Sequence, residues 1–199
     1  YVGIKVNQWG TQRGVEDFPI LTGRVFVNPV TEKVYQYPTF LQNVIWDKED
    51  TDRDRGDHSL TFNSVEGAVV NADIALSYGF EPKKVPNLFV EFRQDAAHIT
   101  EVYVRSQVRD AFSRYASQMK VVDIFGEGKQ KLLDQTKKYL DDHLAPKGFK
   151  FDSVSFVGAL RVDPKVEAAI NSVISATQRA IEAQNKVVQS KAEADQQIE

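Results

Sequence analysis

The chain has 199 residues, 42% hydrophobic and 27% charged, with a net charge of −3. That is the composition of an ordinary globular domain, and so mild an acidity gives no overall pull toward nucleic acid or anionic lipid. The absence of cysteine excludes disulfides, thiol nucleophiles and cysteine-ligated metals, and no stretch reaches the roughly eighteen apolar residues of a membrane span.

Read in order, the chain opens on Tyr1 inside a strand pattern, with Val2, Ile4 and Val6 alternating with Gly3 and Lys5. Trp9-Gly10 and Gly14 mark turns. A second strand is expected over Gly23–Val27, closed by Asn28-Pro29, and a third over Lys33–Tyr37, closed by Pro38. Phe40, Gln42, Val44 and Trp46 place a fourth strand over Phe40–Trp46. The charged run Asp47–Asp57 spaces Asp50, Asp52 and Asp54 like calcium ligands. It lacks the glycine and glutamate that such a loop requires, having Arg55 and Thr61 there, and it reads as a solvated loop.

A short strand over Leu60–Asn63 precedes the longest period-two signal. Ala68, Val70, Ala72, Ile74, Leu76, Tyr78 and Phe80 alternate with mostly polar or small residues, which describes a strand with one buried face. Glu81-Pro82 and Pro86 then read as a loop. From Ala96 to Met119 the period becomes helical, with Val104, Val108, Ala111, Phe112 and Tyr115 on one stripe and Arg105, Arg109 and Arg114 off it, on a solvated face. Gly126-Glu127-Gly128-Lys129 fails the phosphate-loop pattern at Asp123 and Gln130 and reads as a linker. A second helix follows, lined by Leu132, Leu133, Thr136, Leu140 and Leu144 and ended by Pro146-Lys147-Gly148. Phe149–Val162 returns to strand.

The last stretch, 163–199, is a long helix. Asp163 is placed to cap it, and Pro164 occupies the first helical position, where its missing N–H costs nothing. No Gly or Pro follows, and thirty-odd residues at about 1.5 Å each reach roughly 50 Å. Val166, Ile170, Val173, Ile174, Ile181 and Val188 form a narrow stripe that thins toward the C-terminus. The N-terminal half can dock on a core, while the rest is marginal alone and either finds its cheapest neighbours in copies of itself or stays a frayed, solvated tail. These six residues are the candidate oligomerisation interface.

No catalytic constellation emerges. His58, His98 and His143 are each alone in their segments, no nucleophile elbow occurs, and Asp141-Asp142 beside His143 point in different directions on a helix. The reading is a non-enzyme with no cofactor, metal site or nucleic-acid partner. The element order, a β-rich block, two amphipathic helices, a strand and a long helix, gives an α+β fold with a partly antiparallel sheet.

Several stretches together resemble the prohibitin branch of the SPFH (stomatin, prohibitin, flotillin; band 7) family. They are Gly23-Arg24-Val25-Phe26-Val27-Asn28-Pro29, Tyr37-Pro38-Thr39-Phe40, the segment from Leu60 to Asp73, and Pro164-Lys165-Val166-Glu167-Ala168-Ala169-Ile170. Ala176-Thr177-Gln178-Arg179-Ala180 and Lys191-Ala192-Glu193-Ala194 continue the likeness into the last helix. The charged loop Asp47–Asp57 departs from it. The resemblance implies two small subdomains, 1–80 and 81–162, near a bilayer, followed by a coiled-coil-type helix over 163–199. It also implies a membrane anchor before the residue matching Tyr1. Such chains pack side by side, with identical or homologous partners, into a ring or cage that organises a membrane microdomain. The alternative role is a regulatory subunit that binds and controls a membrane AAA+ protease.

Overall fold

The computed structural model describes residues 1–7, 26, 28, 30, 32–48 and 56–196, with side chains in the last helix described as far as Ser190. Of the expected strand over Gly23–Val27 only Phe26 is described, and the calcium-like positions Asp50, Asp52 and Asp54 lie outside the described residues.

β1 (Val2–Asn7) and β2 (Glu32–Tyr37) form an antiparallel pair. A four-stranded antiparallel sheet is built on β5 (Val69–Phe80). On one edge β5 pairs in turn with β4 (Leu60–Asn63) and β3 (Gln42–Trp46). On the other it pairs along nearly its whole length with β6 (Phe149–Val162). Period-two patterning decides which face is buried. Val70, Ala72, Ile74, Leu76, Tyr78 and Phe80 are all buried, while Asn71, Asp73 and Ser77 face the other way.

Helices cover the buried face. α3 (Arg105–Ala116) brings Val108, Ala111 and Phe112 onto the sheet, where Phe112 lies between Phe62 and Phe156 with ring centroids 5.5 Å from each. α5 (Gly128–Leu144) adds Leu132, Thr136, Leu140 and Leu144, and also Tyr139, from the far side of α3 and along β6. The helical pattern from Ala96 is real but not uniform. After one turn, α2 (Ala96–His98), it widens into a π-helical segment over Ile99–Val104 before α3. Arg105 departs from the expected solvated face, because its guanidinium donates to the His58 carbonyl at 2.8 Å and ties α3 to the β3–β4 connection.

The expected loop around Pro82 and Pro86 is helical, and a further short helix precedes the expected linker at Gly126. Residues 82–84 make a 3₁₀ turn and lead into α1 (Val85–Phe92), which buries Val85, Leu88 and Phe89. Pro86 sits in the first turn, where it starts a helix rather than breaking one. Ahead of Gly126, α4 (Val121–Phe125) buries Ile124. A Cβ on Gly128 would stand 2.4 Å from the Met119 side chain and 2.8 Å from the Asp123 carbonyl, so this glycine serves close packing at the α4–α5 corner rather than linker freedom.

β6 pairs with β5, and one cluster of buried side chains runs from Val2 and Tyr37 through Leu88 and Phe89 to the sheet and α5. Opposite Ala72, β6 bulges between the pairs Asn71–Arg161 and Asp73–Val157, with Gly158 at φ 74° supplying the backbone that the bulge needs. From there β6 delivers the chain to Asp163.

Candidate functional site

The last helix, α6 (Pro164–Gln196), begins as its sequence dictates. The Asp163 carboxylate accepts the Lys165 N–H at 2.9 Å and the Asp163 carbonyl accepts the Glu167 N–H at 3.0 Å, which satisfies two donors of the first turn. The helix then crosses α4. Ile170 is only 3% exposed, and Val166 beside it is half-buried, so this turn is held by the chain's own domain. A groove lined by Met119, Val122 and Gly128 opens alongside, walled on its other side by Ile174, Thr177 and Gln178.

Past Ile170 every described residue of α6 through Ser190 is exposed. Among them are large apolar side chains: Val173 is 48%, Ile174 39%, Ile181 52% and Val188 61% exposed. Of the six residues expected at the interface, Val173, Ile181 and Val188 are therefore about half or more exposed, and Ile174, less so, borders the groove beside α4. Ile170 is taken up within the chain and is not free to meet a neighbour. Val187, 53% exposed, belongs with the outward set and was not among the six.

These residues fall on two lines. Ile174, Ile181 and Val188 recur every seven residues, and so do Val173, Ala180 and Val187. A seven-residue repeat drifts by only about 20° per heptad on an α-helix, so each line holds one side over the whole length. The two lines are one residue, about 100°, apart around the axis. The helix thus presents apolar surface in two directions. Thr177 breaks neither line, because its hydroxyl donates back to the Val173 carbonyl at 2.9 Å.

Elsewhere the candidate chemical groups serve structure. His143 stacks on Tyr139 with ring centroids 4.0 Å apart, and Asp141 takes a 2.9 Å ion pair from Lys137. Arg114 lies over the Tyr139 ring at 5.3 Å. Burial pushes the Tyr37 hydroxyl well above the ordinary tyrosine range, and that hydroxyl donates to the Gln94 carbonyl where α1 ends. Among the described residues, no group of His, Cys, Asp or Glu side chains is placed to hold a metal ion. Nor is any helix there long and apolar enough to cross a membrane.

The family model described as SPFH domain / Band 7 family matches residues 1–196. A search among curated proteins found no match.

Proposed function

The chain belongs to the SPFH domain / Band 7 family, and from that premise we propose that it is a non-enzymatic, membrane-associated scaffold that assembles with copies of itself through α6. Members of this family are generally membrane-associated scaffolds without catalysis of their own. One observation carries the reading: α6 runs on beyond its docked turn with its valines and isoleucines exposed.

An isolated helix of this kind is marginal in water, its first turn costly and its ends fraying. Covering a Val or Ile side chain that is half exposed contributes about 1 kcal/mol. Several such residues along one line contribute together to the pairing of neighbouring helices. Two lines about 100° apart give each helix two neighbours. A single line closes a pair, whereas two lines allow the first line of one helix to meet the second line of the next. Such a heterologous contact repeats around a ring or along a wall. The coiled-coil packing of α6 and the enclosure of a membrane patch by the resulting wall belong to this proposal.

The test is particle mass by light scattering for the parent and for Ile181→Asp/Val188→Asp. Both residues are exposed in the single chain, so the double variant keeps its fold by circular dichroism. Two carboxylates in an apolar seam weaken association at least about a hundredfold. A variant that assembles like the parent removes this interface.

A further inference from the structure

Sulfur enters this chain at one place. There is no cysteine and a single methionine, Met119, which closes the corner where α3 ends, α4 begins and α5 starts. Its N–H donates to the Ala116 carbonyl at 3.0 Å and its carbonyl accepts the Val65 N–H at 2.9 Å, so the backbone is tied on both sides. The side chain is half-buried and packs against the core. Its methyl group lies against Gly128, where a Cβ would stand only 2.4 Å from Cε. The same side chain lines the groove beside α4, about 760 Å³ in volume, whose far wall is Ile174, Thr177 and Gln178 of α6. A space of that size admits hydrogen peroxide, a molecule little larger than water.

A thioether suits this corner because it is apolar and only a weak acceptor. Oxidation turns it into a polar, chiral sulfoxide. The sulfur attacks one oxygen of hydrogen peroxide, the O–O bond breaks and an S–O bond forms. The departing hydroxide takes the proton left on the transferred oxygen and leaves as water. Sulfur is oxidised by two electrons and the peroxide is reduced.

The new oxygen needs a donor, and the Val122 and Ile174 side chains offer none. The first turn of α5 does, because the Glu127 side chain does not cap it and its N–H groups have no acceptor within the helix. Turning toward them takes the sulfur and its methyl off the apolar wall of the groove. α4 starts two residues after Met119 and carries the docked turn of α6, so a shift at this corner reaches that turn.

We propose that Met119 is a site of reversible oxidation by hydrogen peroxide, and that its sulfoxide loosens the seat of α6 on the domain. The effect belongs to the single chain, so it stands or falls independently of the scaffold reading.

Amide exchange in dilute protein, with peptide mass spectrometry, tests it. Peroxide adds about 16 Da to the peptide holding Met119. Exchange over residues 164–174 then rises about tenfold while β5 keeps its protection. Treatment with both methionine sulfoxide reductases, one for each epimer, restores the parent's rate. Met119→Leu, close in volume and without sulfur, exchanges like the parent and does not respond to peroxide. The inference is overturned by a Met119 that resists peroxide concentrations sufficient to oxidise free methionine, or by an oxidised chain whose residues 164–174 exchange as before. A peroxide response that persists in Met119→Leu, or protection lost throughout β5, overturns it as well.

Discussion

The carboxylate of Glu66, in the turn between β4 and β5, accepts the Val121 N–H at 3.0 Å and so caps α4 from 55 residues away. The same oxygen accepts the Ser64 hydroxyl at 2.9 Å, and the Val65 N–H donates to the Met119 carbonyl at 2.9 Å. α4 is the element on which α6 rests, so a turn in the sheet sets the position of α6.

Partial burial pushes the Glu66 carboxyl up, but the hydrogen bonds from Val121 and Ser64 together outweigh it and hold the group below its ordinary value of 4.5. A carboxylate lowered by folding contributes stability that is complete above pH 4.5 and is lost as pH falls through the lower folded value. Glu66→Gln is therefore expected to lower stability at neutral pH by less than about 1 kcal/mol, since the group is exposed. In urea titrations the gap from the parent should narrow as pH falls below 4.5. A constant gap would mean that the charge has no part in the cap.

At the β6 bulge, Arg161 grips Asp73 with both arms of its guanidinium, the Nη2–Oδ1 distance being 2.7 Å. Asp73 is largely buried there, at 13% side-chain exposure. Asp73→Asn is expected to cost about 1 to 2 kcal/mol, and Arg161→Lys less, because lysine keeps the charge and loses the fork. Added salt should shrink the loss only modestly, as the pair is partly shielded from solvent. Equal stability of Asp73→Asn and the parent in denaturant would remove the pair from the account of the ribbon.

Phe112 has no exposed surface and lies between two other rings. Phe112→Ala is expected to cost about 3 to 5 kcal/mol through lost burial and the cavity left behind. Thermal unfolding followed by far-ultraviolet circular dichroism checks this, with Phe26, 99% exposed, as the contrasting site where alanine should change little.

Ile170 and Ile181 look alike in sequence, but only Ile170 is buried by its own domain. Ile170→Ala is expected to loosen the first turns of α6, read as faster amide exchange over residues 164–174, in dilute protein as much as in concentrated protein. Ile181→Ala should leave exchange unchanged in dilute protein and raise it only where the chain is assembled. If both substitutions behave alike, the division between docked and free parts of α6 is wrong.

Much of this was legible in the chain. β5 declares itself by twelve residues of alternation, and the Asp163-Pro164 pair marks the start of α6. α1 was hidden because Pro86 reads as a breaker until its first-turn position is known. The signal was present in Val85, Leu88, Phe89 and Phe92, spaced as one helical face. α4 has five residues, too few for a period to show, and its cap comes from Glu66, far off in sequence. The stripe on α6 was legible as apolar but not as divided, because periodicity does not say which turn meets the chain's own core. Val187 was findable from its seven-residue spacing to Ala180 and Val173.

If each α6 meets two neighbours, as proposed, oxidative cross-linking of Ala180→Cys/Ile181→Cys links more than two chains. The two positions lie one on each line, and the chain brings no other cysteine. The expected result is a ladder of covalent species extending well beyond the dimer on a denaturing gel, collapsing to monomer on reduction. Oxidation that yields only monomers, or stops at dimers, would contradict it.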